Sequence, residues 1–368
     1  MKNLYLLIKP ASGNCNLECK YCFYRDEINN RNTPSHNYMS VDLAEKIIKK
    51  ALYLSDISCC FSFQGGEPFL AGLTFFKAFV ETVKKYNTKN IKVFYSIQTN
   101  GTLLDENWAQ FLSSNHFLTG ISLDGYEQIH NLYRRTCFGG TTFSQIINAV
   151  SLLEKFNADY NILTVVTSKS AKKADKIYQF YKQMNFNHQQ YIPCLDPISR
   201  TRGKEPYSLT PESYSYFLKC LFDKWYTDIL NKKPIHIRYF ENLITALRGG
   251  IPESCGMNGV CSHQYVIESD GSVYPCDFYV FDNMKLGSFA EDDIEEIEKK
   301  RRDLNFIDES LKIPDDCNIC KYYPLCRNGC KRERVDNGSS IAKNYYCNTY
   351  RDFFDYSIER LCLLANTV

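Results

Sequence analysis

Residues 6–24 read LLIKPASGNCNLECKYCFY, an apolar run followed by three cysteines, Cys15, Cys19 and Cys22, spaced CxxxCxxC. Three thiolates on one short loop can share a single polynuclear centre. Iron–sulfur clusters are held by cysteine thiolates, normally four for a cubane, so three ligands leave one iron open to a substrate. Zinc is the competing metal, but a structural zinc closes four ligands. His36, fourteen residues after Cys22, is the nearby candidate for a fourth.

Outward from this loop, short β-rich runs alternate with helical patterns. The expected strands are Leu4–Ile8, Cys60–Gln64, Val93–Thr99, Leu118–Leu123, Asn161–Thr167 and Gln190–Leu195. Helices are expected between them at 41–54, 73–86, 105–114, 142–156 and 171–184. Strict alternation predicts a parallel sheet with right-handed crossovers. Six units are too few for a complete eight-stranded barrel, so the fold class is α/β, an open or partial (β/α)6 barrel. Ligands gather at the carboxyl ends of such strands. Those ends carry CNLECKYC, then Gly65-Gly66-Glu67-Pro68, Gln98-Thr99-Asn100-Gly101 and Ser122-Leu123-Asp124-Gly125. After a polar connection past Pro197, a helix is expected from Pro211 to Leu230. From Ser254 the pattern changes to cysteine-bearing loops, a hairpin (Tyr265–Glu268 with Ser272–Pro275) and a terminal helix, Phe353–Leu364.

Seventeen cysteines in 368 residues are too few for a disulfide scaffold and too many to ignore. The number is odd, which excludes complete internal pairing. The only apolar stretch at the N-terminus, Leu4–Ile8, is shorter than a signal-peptide core, so the expected compartment is the reducing cytoplasm, where closely spaced cysteines are metal ligands or catalysts. No run approaches a membrane span. The formal charge, 44 basic against 42 acidic residues, is +2, giving no footprint for nucleic acid or an anionic membrane. Beyond the first three, eight cysteines lie in the last third: Cys255, Cys261, Cys276, Cys317, Cys320, Cys326, Cys330 and Cys347. Eight is two sets of four, as two fully ligated cubanes need; Cys317 to Cys330 alone also fits a zinc ribbon. Cys59, Cys60, Cys137, Cys194, Cys220 and Cys362 are expected to be buried packing residues.

CxxxCxxC after a first strand, followed by GlyGlyGluPro after a second, resembles the radical S-adenosylmethionine superfamily, whose fold is a partial (β/α)6 barrel. The later cysteines resemble the SPASM domain of peptide-modifying radical enzymes, so residues 1–234 are expected to form the barrel with its connecting helix and 235–368 the auxiliary-cluster domain. Within the superfamily the chain is most similar to the anaerobic sulfatase-maturating enzymes. This resemblance runs through FQGGEP, SIQTNGTLLDENWAQFL, SLDG with IHNLYRR, ILTVVTS, CLDP, IRYFENL, SCGMNG, VIESDGSVYPCDFYV and the final CxxCxxxxxCxxxC with NYYC.

The resemblance implies three [4Fe-4S] clusters and S-adenosylmethionine as cofactors. Cys15, Cys19 and Cys22 hold the first cluster; one auxiliary cluster uses Cys255, Cys261, Cys276 and Cys330, the other Cys317, Cys320, Cys326 and Cys347. Tyr21, Gly65, Gly66, Glu67, Ser122, Arg134 and Leu195 are the expected S-adenosylmethionine contacts: the glycines for close backbone approach, Glu67 as acceptor for an ammonium and Arg134 for a carboxylate. The implied activity is that of an oxidoreductase converting a cysteine or serine of a sulfatase polypeptide to Cα-formylglycine. A 5′-deoxyadenosyl radical takes a Cβ hydrogen, an auxiliary cluster takes an electron and Asp277 takes the proton. Gln98, Asn100 and Tyr24 are candidate contacts to the substrate peptide; for Asn100 an Asx turn with Gly101 is equally expected. The implied partners are the sulfatase and a low-potential electron donor such as ferredoxin or flavodoxin. Alternatives are a radical enzyme that crosslinks ribosomal peptides, a multi-cluster electron carrier and a zinc-binding module.

Overall fold

The computed structural model describes residues 1–198, 200–335 and 341–367. Its main strands are β1 (Asn3–Ile8), β2 (Ser58–Phe63), β3 (Lys92–Thr99), β4 (Phe117–Ser122), β5 (Tyr160–Val166), β6 (His188–Pro193), β7 (His236–Ile237), β8 (Tyr265–Ile267), β9 (Ser272–Tyr274) and β10 (Gly287–Ser288). The chain divides into two compact units. One comprises Met1–Leu123, Asn131–Asn161 and His263–Leu304; the other comprises Asp124–His130, Ile162–Ser262 and Asn305 onward. These units cut across the 234/235 division, which describes segments of chain and not packed bodies.

In the first unit β1 to β4 pair in parallel and in chain order, with Leu6 beside Phe61, Phe61 beside Tyr95 and Tyr95 beside Phe117. The helices Val41–Leu54, Leu73–Tyr86 and Glu106–Ser114 provide the crossovers. Ser40 and Asp105 cap two of them by accepting the N–H of Leu43 and Trp108, each satisfying a donor the helix leaves unpaired. The core is aromatic: Phe61, Phe63, Phe76, Phe79 and Phe117 are buried, and Phe69 stacks on Trp108 with centroids 3.8 Å apart. Burying each ring contributes about 1.5–3 kcal/mol. The expected hairpin is present as β8 and β9, but it does not stand alone. β8 pairs in parallel with β1, Leu6 beside Tyr265, and so extends the sheet and delivers the Cys276–Val280 turn to the strand ends.

In the second unit β5 pairs in parallel with β6, Ile162 beside Gln189, and β6 with β7. The expected helix 171–184 is divided into Ser168–Ala171, closed by a Thr167/Ser170 capping box, and Ala174–Gln183. The last helix begins at Cys347, not Phe353, because Thr349, Phe353 and Phe354 are all buried on its face. Trp225, Phe240 and Phe353 fill the core, with the Trp225 Nε1–H donating to the Ile235 carbonyl at 3.0 Å. Both units join parallel strands through helices, the α/β partial-barrel class expected from the sequence.

Candidate active site and cluster frames

In the first unit the chain leaves β1 at Ile8 and folds the three cysteines into a loop. The Cys22 N–H donates to the Cys19 carbonyl at 3.1 Å, and the Leu17 N–H points to the Cys15 sulfur at 3.4 Å. The loop is stitched to the turn after β2: Gly66 N–H donates to the Ser12 carbonyl (2.8 Å) and Glu67 N–H to the Asn14 carbonyl (2.7 Å). The approach is so close that a Cβ on Gly66 would stand 1.9 Å from the Asn14 oxygen, and Gly65 has φ +123°. Only glycine fits either position.

Glu67 is buried and tied to the protein by three donors. Oε1 accepts from Thr99 Oγ1 (2.7 Å) and Phe69 N–H (3.0 Å), and Oε2 accepts from Asn100 N–H (2.8 Å). Burial pushes its carboxyl up to about 7 against these bonds. Of a carboxylate's roughly four acceptor positions, one on Oε2 is left for an ammonium. Asn100 is equally engaged: its amide donates to Asn16 Oδ1 (2.9 Å) and towards Cys15 Sγ (3.8 Å), and its Oδ1 accepts from the N–H and hydroxyl of Thr102. These bonds give the Asn100 side chain an Asx-turn role. Gln98 stands exposed at the end of β3. Arg134 is buried, Nη1 lying 3.9 Å from Cys19 Sγ and the guanidinium 5.6 Å from the Tyr21 ring; it is no solvated helix-end charge. Ser122 ends β4 half-buried.

Asp277 lies in the turn after β9. Its Oδ2 accepts from the Tyr24 hydroxyl (2.7 Å) and from Gln64 Nε2 (3.1 Å). Its Oδ1 is buried without a hydrogen bond and faces the Lys9 ammonium at 3.2 Å. Lys9 also pairs with Glu27 at 3.1 Å and lies 4.3 Å from the Tyr24 ring centroid. It is 1 % exposed; burial would neutralise it, but Glu27, Asp277 and Glu268 keep it protonated. Glu27 accepts the Val280 N–H at 3.4 Å, and burial pushes its carboxyl up to about 7 although Lys9 pulls the other way. Arg31 pairs with buried Glu268 at 2.7 Å. Sequence reasoning missed Gln64, Lys9 and Glu27. Gln64 had a signal, since it directly precedes Gly65 at a strand end.

The second unit holds seven of the later cysteines. Cys330 groups with Cys255 and Cys261: burial, then Glu333, then these two thiols raise its proton affinity. Arg334 braces this frame by donating to the Gly259, Gly329 and Ser310 carbonyls. Cys326 groups instead with Cys317, Cys320 and Cys347, around a cavity of 540 Å³; burial and these neighbours push it up to about 12. Between Cys326 and Cys330, Arg327 and Asn328 both take left-handed φ, 48° and 61°, and this reversal sends the two thiols into different frames. Cys276 belongs to the first unit, where its carbonyl accepts the Tyr279 N–H at 3.0 Å. Leu195 follows β6 in the second unit, half-buried. Cys59 and Cys194 are buried as expected; Cys137 is not, since it stands exposed on a surface hairpin.

The donor sets fit iron–sulfur clusters. None of the seventeen cysteines, all of them among the described residues, is joined in a disulfide. Desolvation of the sulfur, Glu67 and the neighbouring Cys19 and Cys22 push Cys15 up to about 12 although the residue as a whole is exposed; a bound metal core reverses such a shift. Among the described residues no three His, Cys, Asp or Glu side chains close on a common point at the distances a single ion requires. The fit to a cluster therefore rests on donor chemistry and loop spacing.

Comparison with known proteins agrees with this architecture. Residues 10–180 match the radical SAM superfamily profile and residues 255–328 that of the SPASM iron–sulfur cluster-binding domain, which together define a radical enzyme with auxiliary clusters. The chain is 47% identical over 369 residues to the cysteine-type anaerobic sulfatase-maturating enzyme of Clostridium perfringens (strain 13 / Type A), covering 100% of both. It is 30% identical to the serine-type enzyme of Bacteroides thetaiotaomicron, over 96% of this chain and 89% of that one. A solved structure described as native anSMEcpe with bound AdoMet and Cp18Cys peptide superposes with a TM-score of 0.94, at 46% identity over 99% of each chain. The chain belongs to the anaerobic sulfatase-maturating enzymes.

Proposed function

We propose that this chain is a cysteine-type sulfatase maturase, oxidising the Cβ of a cysteine in a sulfatase polypeptide to give Cα-formylglycine. The observation that carries the chemistry is the division of labour at Asp277, one oxygen anchored by two hydrogen-bond donors and the other buried and held only by the Lys9 ammonium at 3.2 Å. Full-length identity of 47% to a cysteine-type enzyme, against 30% to a serine-type one, supports the choice of substrate.

When bound, S-adenosylmethionine and three [4Fe-4S] clusters supply the one-electron chemistry that removes hydrogen and an electron from the substrate Cβ. Cys15, Cys19 and Cys22 hold the first cluster, and the two interleaved cysteine sets, the first completed by Cys276, hold the others. Gly65, Gly66, Glu67, Tyr21, Ser122, Arg134 and Leu195 hold the cofactor. Gln98 and Tyr24 face the peptide. Asp277 Oδ1 takes the proton of the substrate thiol, a position for a general base worth about 10²–10⁴-fold in rate, and the resulting thioaldehyde is hydrolysed, water supplying the aldehyde oxygen and the sulfur leaving as hydrogen sulfide. Tyr24 and Gln64 fix the rotamer by occupying Oδ2, and the Lys9 ammonium lies 3.2 Å from Oδ1. The reaction needs an external low-potential electron donor. Eleven ligand cysteines that must stay reduced fit the cytoplasm, and a formal charge of +2 gives no reason for nucleic acid or membrane as partner. Among the described residues no helix is long and apolar enough to cross a membrane.

The test is anaerobic incubation of reconstituted protein with S-adenosylmethionine, dithionite and paired Cys and Ser sulfatase peptides, read by mass spectrometry. The Cys peptide is expected to become formylglycine. 5′-Deoxyadenosine formed beside unchanged peptides would overturn the substrate, and its absence would overturn the radical reading.

A further inference from the structure

Residues 23–32, which follow the cysteine loop, lie along the turn that carries Asp277. Phe23 packs edge to face on Phe278 with centroids 4.8 Å apart, and the Tyr24 hydroxyl donates to Asp277 Oδ2 at 2.7 Å. Further on, Glu27 accepts the Val280 N–H at 3.4 Å, and the Asn32 N–H donates to Asp282 Oδ2 at 2.8 Å. The seam starts at the residue after Cys22 and meets the turn at the residue after Cys276.

Arg31 holds this seam to the rest of the site. Its side chain is 3 % exposed, and Nη1 donates to Glu268 Oε1 at 2.7 Å. Nη2 donates to Ser12 Oγ (3.2 Å) and to the Pro34 carbonyl (2.7 Å), which Nε also reaches at 3.3 Å. Ser12 lies in the loop that leads to Cys15, and its carbonyl accepts the Gly66 N–H. Glu268 follows Ile267, where the pairing of β8 with Ile8 of β1 ends. One guanidinium therefore joins the loop, the glycine turn and the hairpin beyond the last rung of the sheet that connects them. A rigid planar fork bonding in three directions has no equivalent in lysine. Arg31 and Lys9 both attract Glu268, so the Arg31 pair leaves the Lys9 ammonium to Glu27 and Asp277, 3.1 and 3.2 Å away.

Hydrogen removal at Cβ and proton removal at the attached sulfur act on neighbouring atoms, so the cofactor beside the cysteine loop and the Asp277 carboxylate must converge on one side chain. A base has to stand within hydrogen-bond reach of its proton, and about 1 Å of misplacement can cost about 10²-fold in rate. We propose that Arg31 is a positioning residue for the aldehyde-forming step: through Ser12 and Glu268 it sets the distance between the cysteine loop and the Asp277 carboxylate. This rests on the maturase reading and on Asp277 as the base.

The experiment incubates reconstituted full-length variants anaerobically with S-adenosylmethionine, dithionite and the Cys peptide, and measures formylglycine and 5′-deoxyadenosine by mass spectrometry. Their ratio does not depend on how much of the protein is folded. Arg31→Lys, which keeps the charge and loses the fork, is expected to lower the ratio about tenfold, with iron content and deoxyadenosine formation retained. Arg31→Gln leaves Glu268 a buried carboxylate without this partner and is expected to lose stability as well. Adding Glu268→Gln removes that charge, so the thermal midpoint is expected to recover while the ratio stays low. Arg25→Gln, at an exposed arginine of the same segment that pairs with Glu18 at the surface, is expected to change neither. A wild-type ratio in either Arg31 variant, a ratio that recovers together with the midpoint in the double variant, or an equal fall in Arg25→Gln overturns the positioning role. Conversion of the Cys peptide by the wild-type chain reports separately on the maturase reading, so failure of one is not mistaken for failure of the other.

Discussion

Two of the buried carboxylates in the first unit, Glu67 and Asp277, serve opposite ends. Glu67, after β2, receives three hydrogen bonds and joins the ends of β2 and β3. Asp277, after β9, receives two bonds on one oxygen and leaves the other open beside an ammonium. A carboxylate whose lone pairs are mostly satisfied cannot readily take a proton from a substrate, whereas one whose second oxygen meets a single ammonium keeps acceptor capacity for the role proposed for Asp277. Burial is common to both; the distribution of donors over the two oxygens is what differs.

The comparison is broken most severely at Asp277. Asp277→Asn keeps Tyr24 and Gln64 close to their positions but removes the accepting oxygen. Formylglycine yield is expected to fall about 10²–10⁴-fold, with iron content and 5′-deoxyadenosine formation retained; undiminished aldehyde would show that another group is the base. Lys9→Met comes next. It leaves Glu27 and Asp277 facing each other without a cation, a loss that costs about 3–5 kcal/mol for a buried pair. The ratio of formylglycine to deoxyadenosine is expected to drop about tenfold and to recover in Lys9→Arg. A normal ratio in a merely less stable Lys9→Met protein would reduce Lys9 to a structural counter-ion.

Glu67→Gln sharpens the contrast from the other side. The new amide points donors at Thr99 or at the Asn100 N–H, and an unsatisfied buried group costs about 1–3 kcal/mol. Lower unfolding free energy with poorer cofactor retention is the expected result, read by denaturant titration and equilibrium dialysis of S-adenosylmethionine. If Glu67→Gln were instead fully stable and uncoupled aldehyde formation from cofactor cleavage, the two carboxylates would not differ as argued.

How much of this was legible depended on sequence distance. CxxxCxxC and GlyGlyGluPro could be read because each motif is local and follows a strand end, and the glycine requirement at Gly66 is a contact between two such ends. Lys9 could not be read: it flanks an apolar run, and the partners that make it buried lie 18 residues away at Glu27 and across the chain at Asp277. That the Asn100 side chain forms an Asx turn shows only in the positions of Asn16 and Thr102. The separation of Cys326 from Cys330 rests on left-handed backbone at Arg327 and Asn328, where no glycine before Gly329 announces a reversal. Cys137, expected inside, is outside because its hairpin serves the cysteine loop and not the core.

The smallest expected effect is a dependence of stability on pH. Glu27 and Glu67 are each held up to about 7 in the folded chain, chiefly by burial, whereas an unfolded glutamate titrates near 4.3. Between these values the folded chain binds protons that the unfolded chain has released. The folded state is therefore favoured most below about pH 4.3, loses that advantage as pH rises towards 7, and becomes independent of these groups above it. Glu268 runs the other way, since Lys9 and Arg31 bring it below its ordinary value despite burial, so its contribution is present above the unfolded value and lost in acid. Glu27→Gln should flatten the decline between about pH 4.5 and 7 without altering the acid limb that Glu268 governs. Denaturant midpoints of the full chain across pH 4–8 check this. A slope unchanged by Glu27→Gln would mean that Lys9 holds Glu27 ionised throughout, so that the cation pairs with two charged carboxylates at once.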